Sequence, residues 1–233
     1  MAALILLSWA ALLILLFSLR GKQTAAFALP GILLQTFLYT GVFITAHDAI
    51  HGSIVPRRHR LNSLIGALCL GLYALFPYLQ VREKHFMHHR FPASSKDPDY
   101  HDGRRTSFFG WYFTFLKRYL SWKQLLGMAV IFNIFHHLFH VPTMNLTLFW
   151  VVPSLLSTLQ LFFFGTYLPH RKPVGGYRDR HRAVSSSLKP FWSLLACYHF
   201  DYHWEHHEYP SIPWWKLAIK RRETLYAAEA GRG

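Results

Sequence analysis

AAFALPGILLQTFLYTGVFITAHDAIH, residues 25–51, joins two features that soluble chains keep apart. From Ala25 to Ala46 the stretch carries no charge and is long enough to cross a bilayer core as a helix, which takes about 20 apolar residues. Its last five residues, His47-Asp48-Ala49-Ile50-His51, set two imidazoles four positions apart, on one face of that helix. A membrane helix that ends in paired metal-ligand side chains asks what else in the chain reaches that end.

The composition around this stretch agrees with a membrane protein. Of 233 residues, 52% are apolar, 17% aromatic and only 15% charged, against about 25% charged in soluble chains. So little charge neither covers a soluble globule nor fits a disordered chain. The net charge of +14 would suit nucleic acid. The apolar residues lie in long runs, however, so the bilayer is the expected partner and nucleic acid is not. Cys69 and Cys197 both sit in apolar stretches and make neither a disulfide framework nor a cysteine metal site.

The run Ala2–Leu19 is also free of charge. A signal peptide would carry its cations before such a run; here Arg20 and Lys22 follow it, so it reads as a retained helix with residues 20–24 as a hairpin turn. Two more runs, 124–141 and 144–168, give an expected set of four spans: 2–19, 25–46, 124–141 and 144–168. Segments 47–121 and 169–233 then share one side and hold 22 of the 25 Lys and Arg residues, which places that side in the cytoplasm. Residues 61–81 are apolar but broken by Gly66, Gly71 and Pro77. As a fifth span they would send later segments to the opposite face, so they are read as interfacial or re-entrant. The expected fold is an all-α membrane protein with one domain over 1–233.

Two further clusters follow His47/His51. His85-Phe86-Met87-His88-His89 and His203-Trp204-Glu205-His206-His207 both have the spacing H-x2-H-H, which aims three imidazoles from one helical face. Neutral imidazole suits iron, copper, zinc and nickel, and eight converging rings exceed the needs of one metal, so two metals are expected. The last apolar run returns the chain to the same side at His170, where a ninth imidazole becomes available. His199, four residues before His203, is a further candidate, as a ligand or as the holder of a metal-bound water. His136, His137 and His140 fall at the far-side turn and are read as interfacial. His59 and His181, in Arg-rich loops, are read as solvated or near lipid phosphate, and His101 as supporting the site from outside. Metal-bound histidines usually donate their other N–H to a carboxylate or carbonyl. Asp48, Asp97 and Asp201 are the preferred orienting acids, whereas Glu83 and Glu208 are expected to pair with nearby cations.

The set HDxxH, HxxHH and HxxHH resembles the integral-membrane di-iron desaturases and oxygenases of the fatty acid desaturase-like superfamily. His47–Gly52, Asp97-Pro98-Asp99, Phe164-Gly165-Thr166-Tyr167-Leu168-Pro169-His170-Arg171 and Tyr202–Pro210 further resemble bacterial carotenoid 4-ketolases, over nearly the whole chain. That resemblance implies a four-helix membrane fold with a di-iron site at the cytoplasmic face of a bacterial inner membrane. It implies two Fe2+ ions, O2 as co-substrate and β-carotene as the substrate type. Two successive hydroxylations at C4 of the β-ionone ring would give a geminal diol that loses water to the ketone, forming echinenone- and canthaxanthin-type products of the astaxanthin pathway. Related desaturases also use a histidine at the stage of His170.

Zinc is the rival metal, but it has no redox chemistry. No flavin or nicotinamide fingerprint and no iron–sulfur cysteine set is present, so electrons come from an external donor. A reduced ferredoxin-like protein is the expected one. Phe162, Phe163, Phe164, Tyr167, Trp111 and Phe113 are candidate tunnel aromatics, and Trp214-Trp215-Lys216 reads as an interfacial anchor. Three alternatives remain: an acyl-lipid desaturase or hydroxylase, a carotenoid ring hydroxylase, and a histidine-rich metal transporter. The last predicts ionisable ligands at mid-membrane depth, and the middles of these runs carry none.

Overall fold

Among residues 1–230, which the computed structural model describes, the chain is helical and contains no strand. Residues 231–233, the end of the expected domain, lie outside the described residues, as does Arg232 of the cation count. The expected runs become α1 (Ala2–Ser18), α2 (Lys22–Ile50), α6 (Trp122–His137) and α7 (Thr143–His170). Helices α2 and α7 are each long and apolar enough to cross a membrane, and α1 is a shorter apolar helix. The two long helices overrun their apolar runs, because backbone hydrogen bonding continues past the first polar side chain. His47 therefore lies inside α2, and His51 is its C-cap. Helix α6 stops short of the expected 141. His140 adopts a φ of +53°, the Val141 N–H turns back onto the Phe135 carbonyl at 3.0 Å, and Pro142 opens the next helix. A residue before proline is disfavoured in helical conformation, which fixes the break.

Residues 61–81 form no single rod. Helix α3 (His59–Ala74) and α4 (Tyr78–Arg90) are bent by 102° at residues 75–77, where Leu75 takes a φ of +55° and Pro77 caps α4. The fold-back needs a glycine: a Cβ on Gly66 would stand 2.4 Å from the Tyr78 ring. The polar half of the chain adds α5 (Phe108–Tyr119), α8 (Pro190–Cys197), α9 (His203–Glu208) and α10 (Trp214–Ala230).

Helix α2 is the hub, packing against α1, α3, α7 and α8. From Tyr39 to Ile50 nearly every residue is buried, whereas Phe27, Leu29, Leu33 and Leu34 face outward with Leu4, Leu7, Leu126 and Leu155. Large apolar side chains turned outward on several helices are what lipid requires and water forbids. Inside, polar groups join helices. The Thr40 hydroxyl donates to Ser157 Oγ at 3.0 Å, and the Tyr73 hydroxyl donates to the same atom at 2.9 Å, tying α2, α3 and α7. Asn145 Nδ2 donates to the Leu16 and Leu19 carbonyls at 2.9 Å each, closing the last turn of α1 where no water is at hand.

Where α8 meets α2, Gly41 sits under the Tyr198 ring, which stacks on Phe37 at 4.4 Å. A Cβ at position 41 would lie 2.5 Å from the Tyr198 hydroxyl. Gly41→Leu is therefore expected to push Tyr198 out and to destabilise the folded protein by about 1–3 kcal/mol. A fall in the thermal midpoint of the detergent-solubilised protein, with α1–α2 insertion intact, checks this.

Candidate metal centre

Four chain segments end at one place. The last turn of α2 brings His47 and His51, the last two turns of α4 bring His85, His88 and His89, the end of α7 brings His170, and α9 brings His203, His206 and His207. The short α9 is aimed by the turn before it. Tyr198 and His199 both have positive φ, and the His199 N–H bonds back to the Ser193 carbonyl at 3.2 Å, which reverses the chain after α8.

All nine expected imidazoles come together, in two groups. His47, His51, His85, His89 and His206 form a group of five, and His88, His170, His203 and His207 form a group of four; the donor atoms of each group lie within 4.8 Å of one another. The contacts are nitrogen to nitrogen. Nε2 of His51 is 2.6 Å from that of His85, and His206 Nε2 is 3.2 Å from His47 and 3.0 Å from His89. In the other group, His207 Nε2 is 3.1 Å from both His88 and His203. His170 Nε2 is buried with no hydrogen-bond partner. Lone pairs facing each other at such distances repel unless a cation or a proton lies between them. Nitrogens bound at right angles to one metal on bonds near 2.1 Å stand about 3 Å apart, so the residues present fit a metal in each group.

The other ring nitrogens are held as metal-bound histidines require. His88 Nδ1 lies 3.0 Å from both oxygens of Asp97, which also accepts the Ala93 and Asp99 N–H groups. His47 Nδ1 is 3.3 Å from Asp48, whose other oxygen accepts the Trp214 N–H at the start of α10. His170 Nδ1 meets the Arg182 carbonyl at 2.9 Å, and His203 Nδ1 the Phe200 carbonyl at 3.3 Å. Sequence reasoning missed both carbonyls, because a backbone acceptor leaves no mark in residue identity.

Electrostatics separate His88 from its neighbours. Burial, then adjacent imidazoles, hold His203, His206 and His207 well below the ordinary histidine range. Burial acts on His88 in the same sense, yet the Asp97 carboxylate overrides it and pushes His88 up to about 9. Burial would raise Asp97, but His88 and the Asp99 N–H hold it below the usual carboxylate range, while burial pushes Asp99 up to about 6. The Asp97 carboxylate thus sets His88 apart as the imidazole of the cluster that most favours positive charge.

The remaining expected residues are placed differently. Asp201 touches none of the nine imidazoles; it accepts the Ser193 hydroxyl at 2.5 Å and the Ser186 hydroxyl, pinning the loop that aims α9. His199 stands outside both groups, its Nδ1 3.0 Å from Ser193 Oγ and its ring stacked on Tyr202. His101 lies against Tyr100 and Trp111. His181 is not solvated as expected: it is buried, with Nε2 2.6 Å from Glu208, which also takes Arg180. His59 is exposed at the start of α3, and His136, His137 and His140 lie in neither group. Trp214 is no lipid anchor. It is buried against Tyr198, because its backbone is tied to Asp48. Glu205 is 0% exposed; it accepts Arg221 and Thr224 at 2.8 Å and the Ser185 hydroxyl, clamping α9 to α10 from behind.

A narrow cleft opens on the histidines. His47 and His85 of one group and His88 and His203 of the other line its end, and Phe43, Leu70, Phe76, Leu161 and Phe200 line much of the rest. The tunnel aromatics expected on α7 are elsewhere. Leu161, Gly165 and Thr166 face the cleft, so Phe162 turns to α5 and packs with Trp111 and Tyr112.

A family model described as fatty acid desaturase matches residues 23–134 and 103–231. The chain belongs to the fatty acid desaturase family. Similar proteins include the β-carotene ketolase of Paracoccus sp. (strain N81106 / MBIC 01143), 42% identical over 83% of this chain and 79% of the relative. The β-carotene ketolase of Paracoccus sp. (strain PC1) is 40% identical over 95% of this chain and 91% of the relative. A zeaxanthin 4-ketolase of Chlamydomonas reinhardtii is 41% identical over 83% of this chain, which spans 44% of that longer protein. In this desaturase-family chain the nine imidazoles are the residues that could hold metal, and the cleft opens on four of them.

Asp97→Asn should weaken metal binding about 10- to 100-fold, because His88 loses the carboxylate that orients it. Asp201→Asn should leave metal affinity unchanged and cost about 1–3 kcal/mol of stability. A metal-competition titration and a thermal melt on each purified variant distinguish the two roles.

Proposed function

We propose that this chain is a membrane-bound carotenoid 4-ketolase that converts the C4 methylene of a β-ionone ring to a ketone, with β-carotene as substrate. The observation that carries the reading is the apolar cleft that ends on imidazoles from both groups, in a chain similar to β-carotene ketolases over most of its length. A hydrocarbon ring passes from lipid into such an apolar cleft with little change in solvation and presents its C–H bonds to the histidines.

His47, His51, His85, His89 and His206 would hold one iron, and His88, His170, His203 and His207 the other. Two bound irons would supply dioxygen activation strong enough to oxidise an allylic ring C–H bond, chemistry that belongs to the cofactor. The protein's part is position and exclusion of water. Asp97, Asp48 and the carbonyls of Arg182 and Phe200 fix the rings, Phe43, Leu70 and Phe200 keep the cleft dry, and Glu205 and Asp201 hold α9 in place. Electrons come from a reduced ferredoxin-like donor at the cationic face. The chain forms one domain that crosses the bilayer four times through α1, α2, α6 and α7, with α3 and α4 re-entrant. The histidines then sit at the cytoplasmic face, for a bacterial chain that of the inner membrane.

Expression in a β-carotene-producing host, followed by pigment extraction, should yield new ketone bands. Alanine at any of the nine histidines should abolish them, while alanine at His136, His137 or His140 should leave most of the product. Elemental analysis of gently purified protein should find about two irons per chain; zinc without iron would sink the di-iron assignment. Unaltered pigment from well-inserted wild type, with desaturated acyl lipids instead, would move the chain to the acyl-lipid class.

A further inference from the structure

Of the Asp97-Pro98-Asp99 run, Asp97 holds the His88 ring, and Asp99 stands beside it as a carboxylate on the cleft wall. Helix α5 fixes its position. Trp111 Nε1 donates to the Asp99 carbonyl at 2.7 Å, and the Arg118 guanidinium donates to the Pro98 carbonyl at 2.8 Å. Asp99 Oδ1 accepts the Tyr119 hydroxyl. Among the described residues, Oδ2 accepts no hydrogen bond and pairs with no lysine or arginine. His88 Nδ1 lies 3.7 Å from it, but both oxygens of Asp97 hold that nitrogen at 3.0 Å.

A carboxylate on a side chain only 13% exposed, set among apolar walls, is costly to leave without a donor. The other polar side chains of the cleft are better supplied. The Tyr73 hydroxyl is committed to Ser157 Oγ, and the Thr158 hydroxyl to the Leu155 carbonyl. Thr166 remains, but a threonine hydroxyl on a helix can turn to its own backbone. The Asp99 carboxylate is kept in place by Tyr119. Its location matters as much. His88 presents Nδ1 toward Asp99 and, across the ring, Nε2 toward His207 in the group of four. The carboxylate and that group thus stand one imidazole apart, and Asp99, His88 and His203 all border the cleft.

A hydrocarbon ring has no donor to offer this oxygen, and neither has a ring ketone. The half-oxidised ring has one. We propose that Asp99 Oδ2 accepts a hydrogen bond from the C4 hydroxyl of that ring and holds the alcohol at the histidines for its second oxidation. This deepens the ketolase reading and rests on it. Each oxidation inserts one atom of O2 into a C4–H bond. The other atom leaves as water, with two electrons from the reduced iron–sulfur donor and two protons. The geminal diol then loses water to the ketone. An acceptor beside C4 therefore holds the alcohol and the diol, the two species with a hydroxyl, and releases the ketone. The alcohol is retained about tenfold better than the hydrocarbon, as a hydrogen bond to a charged group provides.

The first test is pigment composition in the β-carotene-producing host, with membrane level and iron content measured for each variant. Asp99→Leu removes the acceptor and should raise the ratio of 4-alcohol to 4-ketone about tenfold. Tyr119→Phe and Thr166→Val should keep the wild-type ratio, whatever they do to total turnover. The second test needs no turnover. Purified iron-loaded protein, kept free of oxygen and donor, is offered equal amounts of β-carotene, its 4-alcohol, its 4-ketone and zeaxanthin, whose hydroxyls stand on C3. Wild type should enrich the 4-alcohol about tenfold over the other three. Asp99→Asn keeps an acceptor for Tyr119 and turns an NH2 group to the cleft, so it should hold the ketone at least as well as the alcohol. An unchanged pigment ratio in Asp99→Leu, or an equal alcohol excess in Tyr119→Phe or Thr166→Val, overturns the role of Asp99. So does binding in which wild type enriches nothing, enriches zeaxanthin in place of the 4-alcohol, or behaves as Asp99→Asn does. If wild type makes neither alcohol nor ketone in the host, the ketolase reading has failed and this inference with it.

Discussion

Nine imidazole nitrogens pointed at one another, in two groups at the ends of four chain segments, are the constraint on which the rest of this structure depends. Lone pairs gathered at about 3 Å repel, and the surrounding helices must hold them together until cations are bound. That demand explains where the fold is rigid. Helix α2 is buried on nearly all sides over its last twelve residues, α4 is folded back under Gly66, and α9 is clamped by Glu205 from behind and by Asp201 at its root. Each device fixes a helix end, where side chains of the last turn project past the helix toward a common point.

The bilayer sets a second condition. Hydrogen bonds between Thr40, Tyr73, Ser157 and Asn145 and their partners join helices where water cannot compensate. Apolar side chains meanwhile serve two masters. Leu4, Leu33 and Leu155 face outward, while Phe43, Leu70 and Leu161 face the largely apolar cleft. The same chemistry on both sides of a helix makes the cleft continuous in character with the membrane, so an apolar substrate passes from one to the other with little change in solvation. The polar metal site is confined to the cleft's end.

The candidate site was legible because its chemistry is written in rare residue types at helical spacing. Three clusters of histidine at i, i+3 and i+4 can aim at one point whatever the detailed fold, and the positions of the cations place them on one side. The apolar runs likewise declared α1, α2, α6 and α7. The break between α3 and α4 was announced by Gly66, Gly71 and Pro77. Helix ends were less legible: α2 runs a turn past its apolar segment because hydropathy marks solvation and not hydrogen bonding.

What the sequence determined by itself, then, was the set of ligand-bearing helix ends, their shared face of the membrane and the family resemblance. These depend on local periodicity and on charge, both of which are properties of short stretches. Only the tertiary structure decided how nine rings divide into five and four, that Asp201 serves a loop and not an imidazole, that Trp214 is buried and not an anchor, and that the aromatics of α7 turn away from the cleft. It also decided that the Arg182 and Phe200 carbonyls hold the His170 and His203 rings and that the Gln124 side chain lines a largely apolar groove. The physical reason is the same in each case. Which way a side chain points around a helix, and which backbone group it meets, is set by how the chain turns and packs, and the residue identities of a local stretch do not show it.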